Sequence, residues 1–260
     1  MTSSSTLCRL AGLLLAACAA LSTTVAHAAD GGGFTLSIGG FNRIVGSGKL
    51  QTETRNVSGF QAIALRSSMK LVLRQGAREG IELRADDNLL PLIETRVVDH
   101  GGVPTLELGM KKGTNFSTDS RIVATIDLVT LRALSISGSG EVVGDALKTP
   151  ALAIAISGSG NVKLKQLATD DLSAKVSGSG DLEFAGRAAK LGVSIAGSGD
   201  VNTRALEADD VSVSVAGSGD ANVTARKTLN ISIAGNGNVT YAGDAAVKTS
   251  IAGHGNVRKQ

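Results

Sequence analysis

The stretch Ile136-Ser137-Gly138-Ser139-Gly140-Glu141-Val142 decides the fold, because the chain repeats it with small changes through its second half. Equivalent stretches begin at six later positions, namely Ile156, Val176, Ile195, Val215, Ile233 and Ile251. The first glycines of successive stretches are 18 to 20 residues apart. A repeat of this length is typical of a solenoid, in which each unit buries its apolar face only by stacking on its neighbours.

Each repeat contains two glycines separated by one residue. Glycine is needed where the backbone takes a positive φ or bends sharply, because a Cβ atom would clash there. We therefore interpret these residues as structural turn glycines. They are Gly138, Gly140, Gly158, Gly160, Gly178, Gly180, Gly197, Gly199, Gly217, Gly219, Gly235, Gly237, Gly253 and Gly255.

Apolar side chains recur at every second position within each repeat, which is the spacing of a β-strand. In the first repeat they are Leu134, Ile136 and Val142, separated by small or polar residues. A unit of about 19 residues is too short for a strand-helix-strand motif, which needs ~30 or more. The pattern predicts an all-β fold, a right-handed parallel β-helix with rungs of about 18–20 residues stacked ~4.8 Å apart.

The N-terminus is typical of an export signal. Arg9 precedes an apolar run over residues 10–20, and Ala26-His27-Ala28 forms a small-x-small cleavage site. We predict a signal peptide over residues 1–28 and an exported protein, in the periplasm, at the cell surface or outside the cell. The apolar run is too short to span a membrane, and no later stretch approaches ~20 apolar residues, so we expect no transmembrane segment.

The stretch Leu15-Ala16-Ala17-Cys18 also resembles a lipoprotein signal, so a lipid anchor at Cys18 is the alternative. The residues after Cys18 stay apolar, whereas a lipid tether is usually polar, and this favours cleavage near Ala28. That cleavage would remove Cys8 and Cys18, leaving no thiol in the mature protein.

The rest of the chain divides into a Gly-rich lead-in over residues 29–45 and a single β-helix domain over 46–260. We expect irregular rungs over 46–132 and regular G-x-G rungs over 133–260. Alternating apolar residues predict strands near 61–65, 70–74, 81–85, 94–98, 105–108 and 122–128. A short helical turn is expected at residues 87–90, just before Pro91.

Three ordered motifs resemble the head GIN domain family of auto-transporter adhesins. They are Gly-Ser-Gly-Lys-Leu-Gln-Thr-Glu-Thr-Arg (46–55), Val-Ser-Gly-Phe-Gln-Ala-Ile (57–63) and Asp-Asp-Asn-Leu-Leu (86–90), followed by the repeated G-S-G-[DEN]-V phrases. The resemblance covers residues 46–260. It implies a right-handed parallel β-helix in an exported bacterial envelope protein, and it brings no catalytic mechanism.

Composition argues against several classes of function. The formal net charge is only +3, and removing Arg9 with the leader would leave 25 basic against 23 acidic residues, so we expect no nucleic-acid partner. Aromatic residues make up 2% of the chain and Trp is absent. Ligand pockets of enzymes usually contain aromatic side chains, so their scarcity counts against a large pocket.

Known catalytic and cofactor motifs are also missing from the sequence. The G-x-G phrases lack the third glycine of a dinucleotide site, since Val143 and Lys163 stand near that position, and no helix is predicted to follow. The histidines His100 and His254 are far apart and are interpreted as surface residues. We therefore expect no catalytic residue, no metal and no cofactor.

One candidate binding site is a column of acidic residues at the position after the second glycine, formed by Asp181, Asp200 and Asp220. Stacked carboxylates could hold Ca²⁺, which prefers oxygen ligands. The favoured alternative is a turn role, because Asp and Asn beside glycine bond to nearby backbone. A second column of Ser139, Ser198 and their equivalents could bind sugar, and here too a turn role is favoured.

The surface before each corner is built of Ser, Ala and Gly, and is either a solvated face or a flat docking face for a polymer or another copy of the chain. We hypothesise a non-enzymatic envelope protein that acts as an adhesin-like binding or structural module. Its partner would be a polysaccharide or an envelope protein, and it could form a homo-oligomer through the flat face or a solenoid end. The alternative is a carbohydrate-active β-helix enzyme, a polysaccharide lyase or hydrolase, using the acidic column with Lys163 or Arg204.

Overall fold

Alternating apolar residues form β-strands through most of the chain that the computed structural model describes, residues 35–38 and 41–260. The strands coil into a β-solenoid of about six turns, which confirms the predicted all-β solenoid. Its right-handedness stays a prediction. The predicted signal peptide (1–28) and Cys18 lie outside the described residues.

The first half of the described chain holds shorter strands with irregular connections. They are β1 (Thr35–Ile38), β2 (Phe41–Val45), β3 (Leu50–Arg55), β4 (Ala62–Arg66), β5 (Lys70–Gln75), β6 (Gly80–Asp86), β7 (Ile93–His100), β8 (Val103–Met110), β9 (Asn115–Ser117) and β10 (Val123–Leu128). A 3₁₀-helix, Leu90–Leu92, begins at the last residue of the turn expected at 87–90. The strands predicted from alternation overlap β4 to β8 and β10.

The second half holds the G-x-G repeats and contains longer strands. They are β11 (Ala133–Gly138), β12 (Glu141–Lys148), β13 (Ala151–Gly158), β14 (Asn161–Gly178), β15 (Asp181–Gly197), β16 (Val201–Gly217), β17 (Ala221–Gly235), β18 (Asn238–Ala242), β19 (Ala246–Gly253) and β20 (Asn256–Lys259). Each strand from β14 to β17 runs from one G-x-G corner to the next, so it forms one coil.

The burial pattern of β14 shows how one coil is shaped. Its inward-facing residues are Val162, Leu164, Leu167, Thr169, Leu172, Ala174 and Val176. They are two positions apart along each side, and three positions apart at two points where the strand bends. With the G-x-G corner, these two bends give a coil with three sides.

Successive coils stack in parallel, and equivalent residues pair with one another. Ile156 pairs with Val176, which pairs in turn with Ile195. The side chains two positions before the first glycine form a buried file, with 1% exposure at Ile136, Ile156, Val176, Ile195, Val215 and Ile233. Burial of such aliphatic side chains stabilises the fold by roughly 1.5–3 kcal/mol each.

Ile251 departs from the pattern that its repeat predicts. It occupies the same position as the buried members of the file, but it is 44% exposed. Its strand, β19, pairs with β17 on one side, and among the described residues no strand covers the other side. Ile251 therefore belongs to the terminal coil of the stack, where an inward position gains no cover from a following coil.

The two glycines of each corner are required for different reasons. The first has a backbone φ between +122° and +136° in all seven corners, a conformation that residues with a Cβ atom rarely adopt. The second lies too close to the preceding coil: a Cβ on Gly160 would come 2.7 Å from Ile136 Cγ2 and 2.9 Å from the Gly140 carbonyl oxygen. Adjacent coils can approach to strand spacing only because both positions lack a side chain.

Two long sheets run along the stack, and we call them the front sheet and the rear sheet. The front sheet consists of β7, β8, β4, β11 and β13, then the C-terminal halves of β14 to β17, then β19. The rear sheet consists of β3, β6, β10, β5 and β12, then the N-terminal parts of β14 to β17, then β18 and β20.

At the N-terminal end, antiparallel strands extend both sheets beyond the parallel coils. β7 pairs with β8 in the front sheet, and β6 pairs with both β3 and β10 in the rear sheet. Within the segment expected to be a Gly-rich lead-in, β1 pairs with β2 in antiparallel orientation, and β2 also pairs with β9 in parallel orientation.

Candidate functional site

The acidic column lies at the G-x-G corners, where each carboxylate faces the next coil. Asp181 Oδ1 accepts the Asp200 backbone N–H at 3.2 Å, and Asp200 Oδ1 accepts that of Asp220 at 3.0 Å. Asp220 Oδ1 accepts the Asn238 backbone N–H at 2.9 Å. The structure thus brings the three predicted residues together and gives each of them a backbone donor.

These hydrogen bonds supply the turn role that Asp beside glycine is expected to have. Each carboxylate satisfies an amide at a corner where the strand ladder is interrupted by the bend. Among the described residues, no group of three or more His, Cys, Asp or Glu side chains is arranged to hold a metal ion. Calcium binding at the column remains a hypothesis.

The basic residues suggested as catalytic partners have other neighbours. Lys163 Nζ lies 2.7 Å from Glu183 Oε2, one coil further along the rear sheet. Lys163 is in register with Glu183, which is in register with Asn202, so the stack does not bring Arg204 opposite Lys163. The groove beside these residues, about 260 Å³, is a shallow surface depression that includes Asp181 and Asn161.

The front sheet presents the flat face predicted from Ser, Ala and Gly. One outward row crosses nine strands in register and consists of Glu107, Ala64, Ser135, Ala155, Lys175, Ser194, Ser214, Ser232 and Ser250. Seven of these nine side chains are Ser or Ala, and the two charged ones are Glu107 and Lys175. This row is therefore low, except at Lys175 and at the end formed by β7, β8 and β4.

At that end lies a charged cluster, which we call the charged wall: Arg66, Arg96, His100 and Glu107. Glu107 Oε1 accepts from Arg66 Nη2 at 2.5 Å and lies 2.9 Å from His100 Nε2, while Glu107 Oε2 accepts from Arg96 Nε at 2.9 Å. The Glu107 side chain is 7% exposed, whereas the two arginines and the histidine are each about half exposed.

The topology explains why these four residues meet. Arg96 is paired directly with Glu107 across the antiparallel β7–β8 hairpin, and His100 lies further along β7 on the same face. Arg66 ends β4, which pairs with the other edge of β8. Burial alone would raise the pKa of the Glu107 carboxyl, but hydrogen bonds from His100 and Arg96 and the Arg66 charge outweigh burial and lower this pKa below its ordinary 4.5.

Sequence reasoning did not find the charged wall. The sequence pattern identifies His100 as a surface residue, which its half-exposed side chain agrees with, but does not single out Arg66, Arg96 or Glu107. The alternation does place Arg96, His100 and Glu107 on outward positions. The alternation does not reveal that β7 pairs with β8 in antiparallel orientation. This pairing brings His100 and Arg96, which are 7 and 11 positions from Glu107 in sequence, next to it.

The Asp-Asp-Asn motif at 86–88 has a structural role at the N-terminal end. Asn88 Nδ2 donates to the Val45 carbonyl at 2.8 Å, and Asn88 Oδ1 accepts the Ser47 backbone N–H at 3.0 Å. Asp86 is 1% exposed and accepts a hydrogen bond from the Thr118 hydroxyl. The motif therefore fastens the loop that leads into β3.

The sequence matches a family model described as "Putative auto-transporter adhesin, head GIN domain" over residues 59–245. The chain belongs to this head GIN domain family. The match begins at Gly59, inside the Val-Ser-Gly-Phe motif, and extends through most of the G-x-G repeats, so it includes the charged wall, the acidic column and all of the flat face except its last strand, β19.

Solved structures agree with the family assignment. A protein from Bacteroides fragilis described as a putative adhesin is similar with a TM-score of 0.79 and 27% identity, covering 84% of this chain and 100% of that chain. A protein from Parabacteroides distasonis described as a putative lipid binding protein has a TM-score of 0.65 and 25% identity, covering 84% and 99%. A putative adhesin from Parabacteroides merdae shares the fold, with a TM-score of 0.66, 23% identity and coverage of 84% and 99%.

Two further comparisons complete the description. No curated protein shows significant similarity to this chain. In the described part of the head GIN domain chain, no helix has the length and apolar character that crossing a membrane requires.

The turn role of the acidic column predicts the effect of changing Asp200. Asp200→Ala removes the acceptor of the Asp220 amide, and we expect a loss of about 0.5–1 kcal/mol in the free energy of unfolding. Asp200→Asn keeps an acceptor oxygen and removes one of three neighbouring negative charges, so its stability should equal or exceed that of wild type. Urea unfolding measures both. A rise in wild-type stability on adding millimolar Ca²⁺, absent in Asp200→Asn, would contradict the turn role and support a calcium site.

The lowered pKa of Glu107 predicts an acid-dependent stability. A carboxyl whose pKa is lower in the folded state stabilises the fold above its ordinary pKa of 4.5, and this contribution is lost as pH falls through the folded-state value. Glu107→Gln should therefore be less stable than wild type at pH 7, by roughly 1–2 kcal/mol because the partner cations are half exposed. The difference should shrink as the pH falls from 5 to 3.

Urea unfolding across this pH range tests the role of Glu107, with Glu183→Gln as the matched control. Glu183 is also paired with a cation but is about half exposed. The control should retain the acid dependence of wild type. A constant difference between wild type and Glu107→Gln at all pH values would show that Glu107 does not stabilise the fold as a carboxylate.

Proposed function

We propose that this protein is an exported, non-enzymatic, adhesin-like module of the cell envelope that binds an extended partner through the flat face of its front sheet. The observation that carries the proposal is the row of small side chains that crosses this sheet in register from Ala64 to Ser250. Membership of an adhesin family supports a binding role. A polysaccharide is the favoured partner, and an envelope protein is the alternative.

Strand spacing explains why an extended partner suits this face. Equivalent hydroxyl groups at Ser194, Ser214, Ser232 and Ser250 recur about every 4.8 Å along the stack. A partner with its own repeating polar groups could form many weak contacts at once, and multivalent contacts raise overall affinity without any single strong site. Apart from Lys175, the row from Ala64 to Ser250 carries only Ser and Ala side chains, which would allow a chain to lie close to the strand backbones.

The acidic column favours binding over catalysis. A glycosidase needs one carboxyl group to transfer a proton and a second to act as nucleophile or base. In the column, Asp181, Asp200 and Asp220 each accept a backbone N–H from the next coil, and these contacts are repeated at every step without distinguishing one carboxylate from its neighbour. We therefore keep the polysaccharide lyase or hydrolase as the disfavoured alternative.

Export is proposed from the leader sequence and the family together. A protein with the predicted signal peptide would reach the periplasm, the cell surface or the medium, and adhesion requires the last two. Protease treatment of intact cells locates it. Rapid cleavage without permeabilising the cells supports an adhesive role, whereas protection until the outer envelope is opened would favour a periplasmic structural role.

A bulky side chain in the middle of the flat face should weaken binding. We expect the purified protein to bind polysaccharides on a glycan array. Incubated with the same polysaccharides in solution, it should release no reducing or unsaturated ends. Ser194→Tyr should lower retention several-fold by lifting the polymer from the face. The matched control is Asn202→Tyr, which places the same ring at an exposed position of the rear sheet.

Two results would count against this function. Equal binding of Ser194→Tyr and Asn202→Tyr to the polysaccharides would show that the flat face is not the binding surface. Release of new sugar ends that Asp200→Asn abolishes would establish the enzyme alternative instead.

A further inference from the structure

We propose that the charged wall and the shallow trough beside it bind an anionic group, a carboxylate or a sulfate, of an acidic polysaccharide that lies along the flat face. This proposal rests on the proposed function and names the chemistry of its ligand. The trough is the surface depression floored by Ala62, Ala64, Ala133, Ser135 and Ser137, and it extends to Arg66 and His100.

Glu107 holds the two guanidinium groups of the wall in place. It engages Nη2 of Arg66 and Nε of Arg96, one nitrogen of each. A guanidinium has five N–H donors in a rigid plane, so fixing one nitrogen orients the others without using them. About half of each arginine side chain is exposed, and these donors suit the oxygen atoms of a carboxylate or sulfate.

The charge of the wall favours an anion even after Glu107 is counted. A second groove borders the wall on its other side and includes Glu94 and Lys112. Arg66, Arg96 and Lys112 give +3, and Glu94 and Glu107 give −2, so the net charge is +1 with His100 neutral. Glu107 is the less accessible of the opposing charges, because its side chain is only 7% exposed. Glu94 is exposed but does not line the trough, so a ligand that enters the trough meets Arg66 and not an exposed carboxylate.

The trough provides room beside the cations. Its volume is about 390 Å³, within the range of small-ligand sites, which is roughly 300–1,000 Å³. Alanine side chains form most of its floor, and the hydroxyls of Ser135 and Ser137 can donate or accept hydrogen bonds. A sugar ring could therefore lie over the floor while its acidic substituent contacts Arg66.

A polymer suits this surface better than a lipid headgroup. The large apolar residues exposed in the described chain are Leu50, Val97, Val129 and Ile251, and none of them lines the trough. The trough therefore lacks the large exposed apolar side chains against which acyl chains would pack. A further cation, Lys175, lies in the same outward row as Glu107. Four strand spacings separate them, which is about 19 Å. The arginines around Glu107 and the ammonium group of Lys175 thus place cations at two points along one face, which fits a chain that carries several acidic groups.

Binding to two acidic polymers tests the proposal: polygalacturonate, which carries carboxylates, and dextran sulfate, which carries sulfates. Neutral dextran is the uncharged control. The variant Arg66→Gln/Arg96→Gln should lower the affinity for the acidic polymers at least about tenfold, through loss of charge-assisted hydrogen bonds. Its matched control is Arg226→Gln/Lys227→Gln, which removes two similarly exposed, ion-paired cations far from the wall. The control should stay within about twofold of wild type, as expected for exposed charges distant from the ligand.

A second variant keeps the test valid if removing both arginines unfolds the protein. Ser135→Tyr fills the trough from an exposed position and leaves every charge of the wall in place. It should also lower affinity at least about tenfold by steric exclusion. Asn202→Tyr is its control and should bind the acidic polymers as wild type does.

The outcomes separate failure of this site from failure of the proposed function. Polymer binding that Arg66→Gln/Arg96→Gln and Ser135→Tyr leave unchanged would overturn the site while leaving the flat face as a binding surface. Equal affinity for neutral dextran and the acidic polymers would overturn the anionic chemistry. Binding only to phosphatidylglycerol vesicles would assign the wall to a membrane surface and overturn the polysaccharide. Binding to none of these probes or to any array glycan would overturn both proposals.

Discussion

The hydrogen bond that links each G-x-G corner to the corner before it is the contact on which the solenoid depends. The amide of the residue between the two glycines donates to the carbonyl of the first glycine one coil earlier, as Ser198 does to Gly178 at 2.9 Å. This bond forms because neither glycine carries a Cβ that would separate the coils. With the corners joined, apolar side chains two positions away must stack in files, and the core follows from that register.

The same constraint shapes the surface. Coils held at strand spacing leave no room for loops between them, and most outward positions of the front sheet carry Ser, Ala or Gly. At its N-terminal end the front sheet differs, because the antiparallel β7–β8 hairpin carries long charged side chains. The charged wall lies at this junction, with Glu107 on β8 and the small-residue row beginning at Ala64 on the next strand. In our proposal, the polymer lies along the flat face and its acidic groups bind at the charged wall.

The sequence was sufficient to predict the solenoid but not the wall. A period of two within a repeat of 18–20 residues determines which side chains point inward, and those from Ile136 to Ile233 are buried as expected. Ile251 is exposed because burial depends on a following coil, which the repeat itself does not reveal. The sequence pattern also does not determine strand direction, because the alternation in β7 and β8 is equally compatible with parallel and antiparallel pairing. The encounter of Arg96 with Glu107 depends on that antiparallel pairing. The encounter of Arg66 with Glu107, 41 residues apart, depends on the parallel pairing of β4 with β8. The extra left-handed glycine in β15, Gly186, has no counterpart in the G-x-G phrase, so the repeat gave no sign of it.

Amide hydrogen exchange at the corners tests the stacking most directly. In an ordinary exposed turn, the amides of Ser179, Ser198 and Ser218 would be open to solvent and would exchange rapidly. In the stacked solenoid each donates to a glycine carbonyl of the preceding coil at 2.9 Å, so these amides should exchange as slowly as those of the buried strands beside them. Fast exchange at all three corners, with protection confined to the strands, would show that the coils are not joined through their glycine corners.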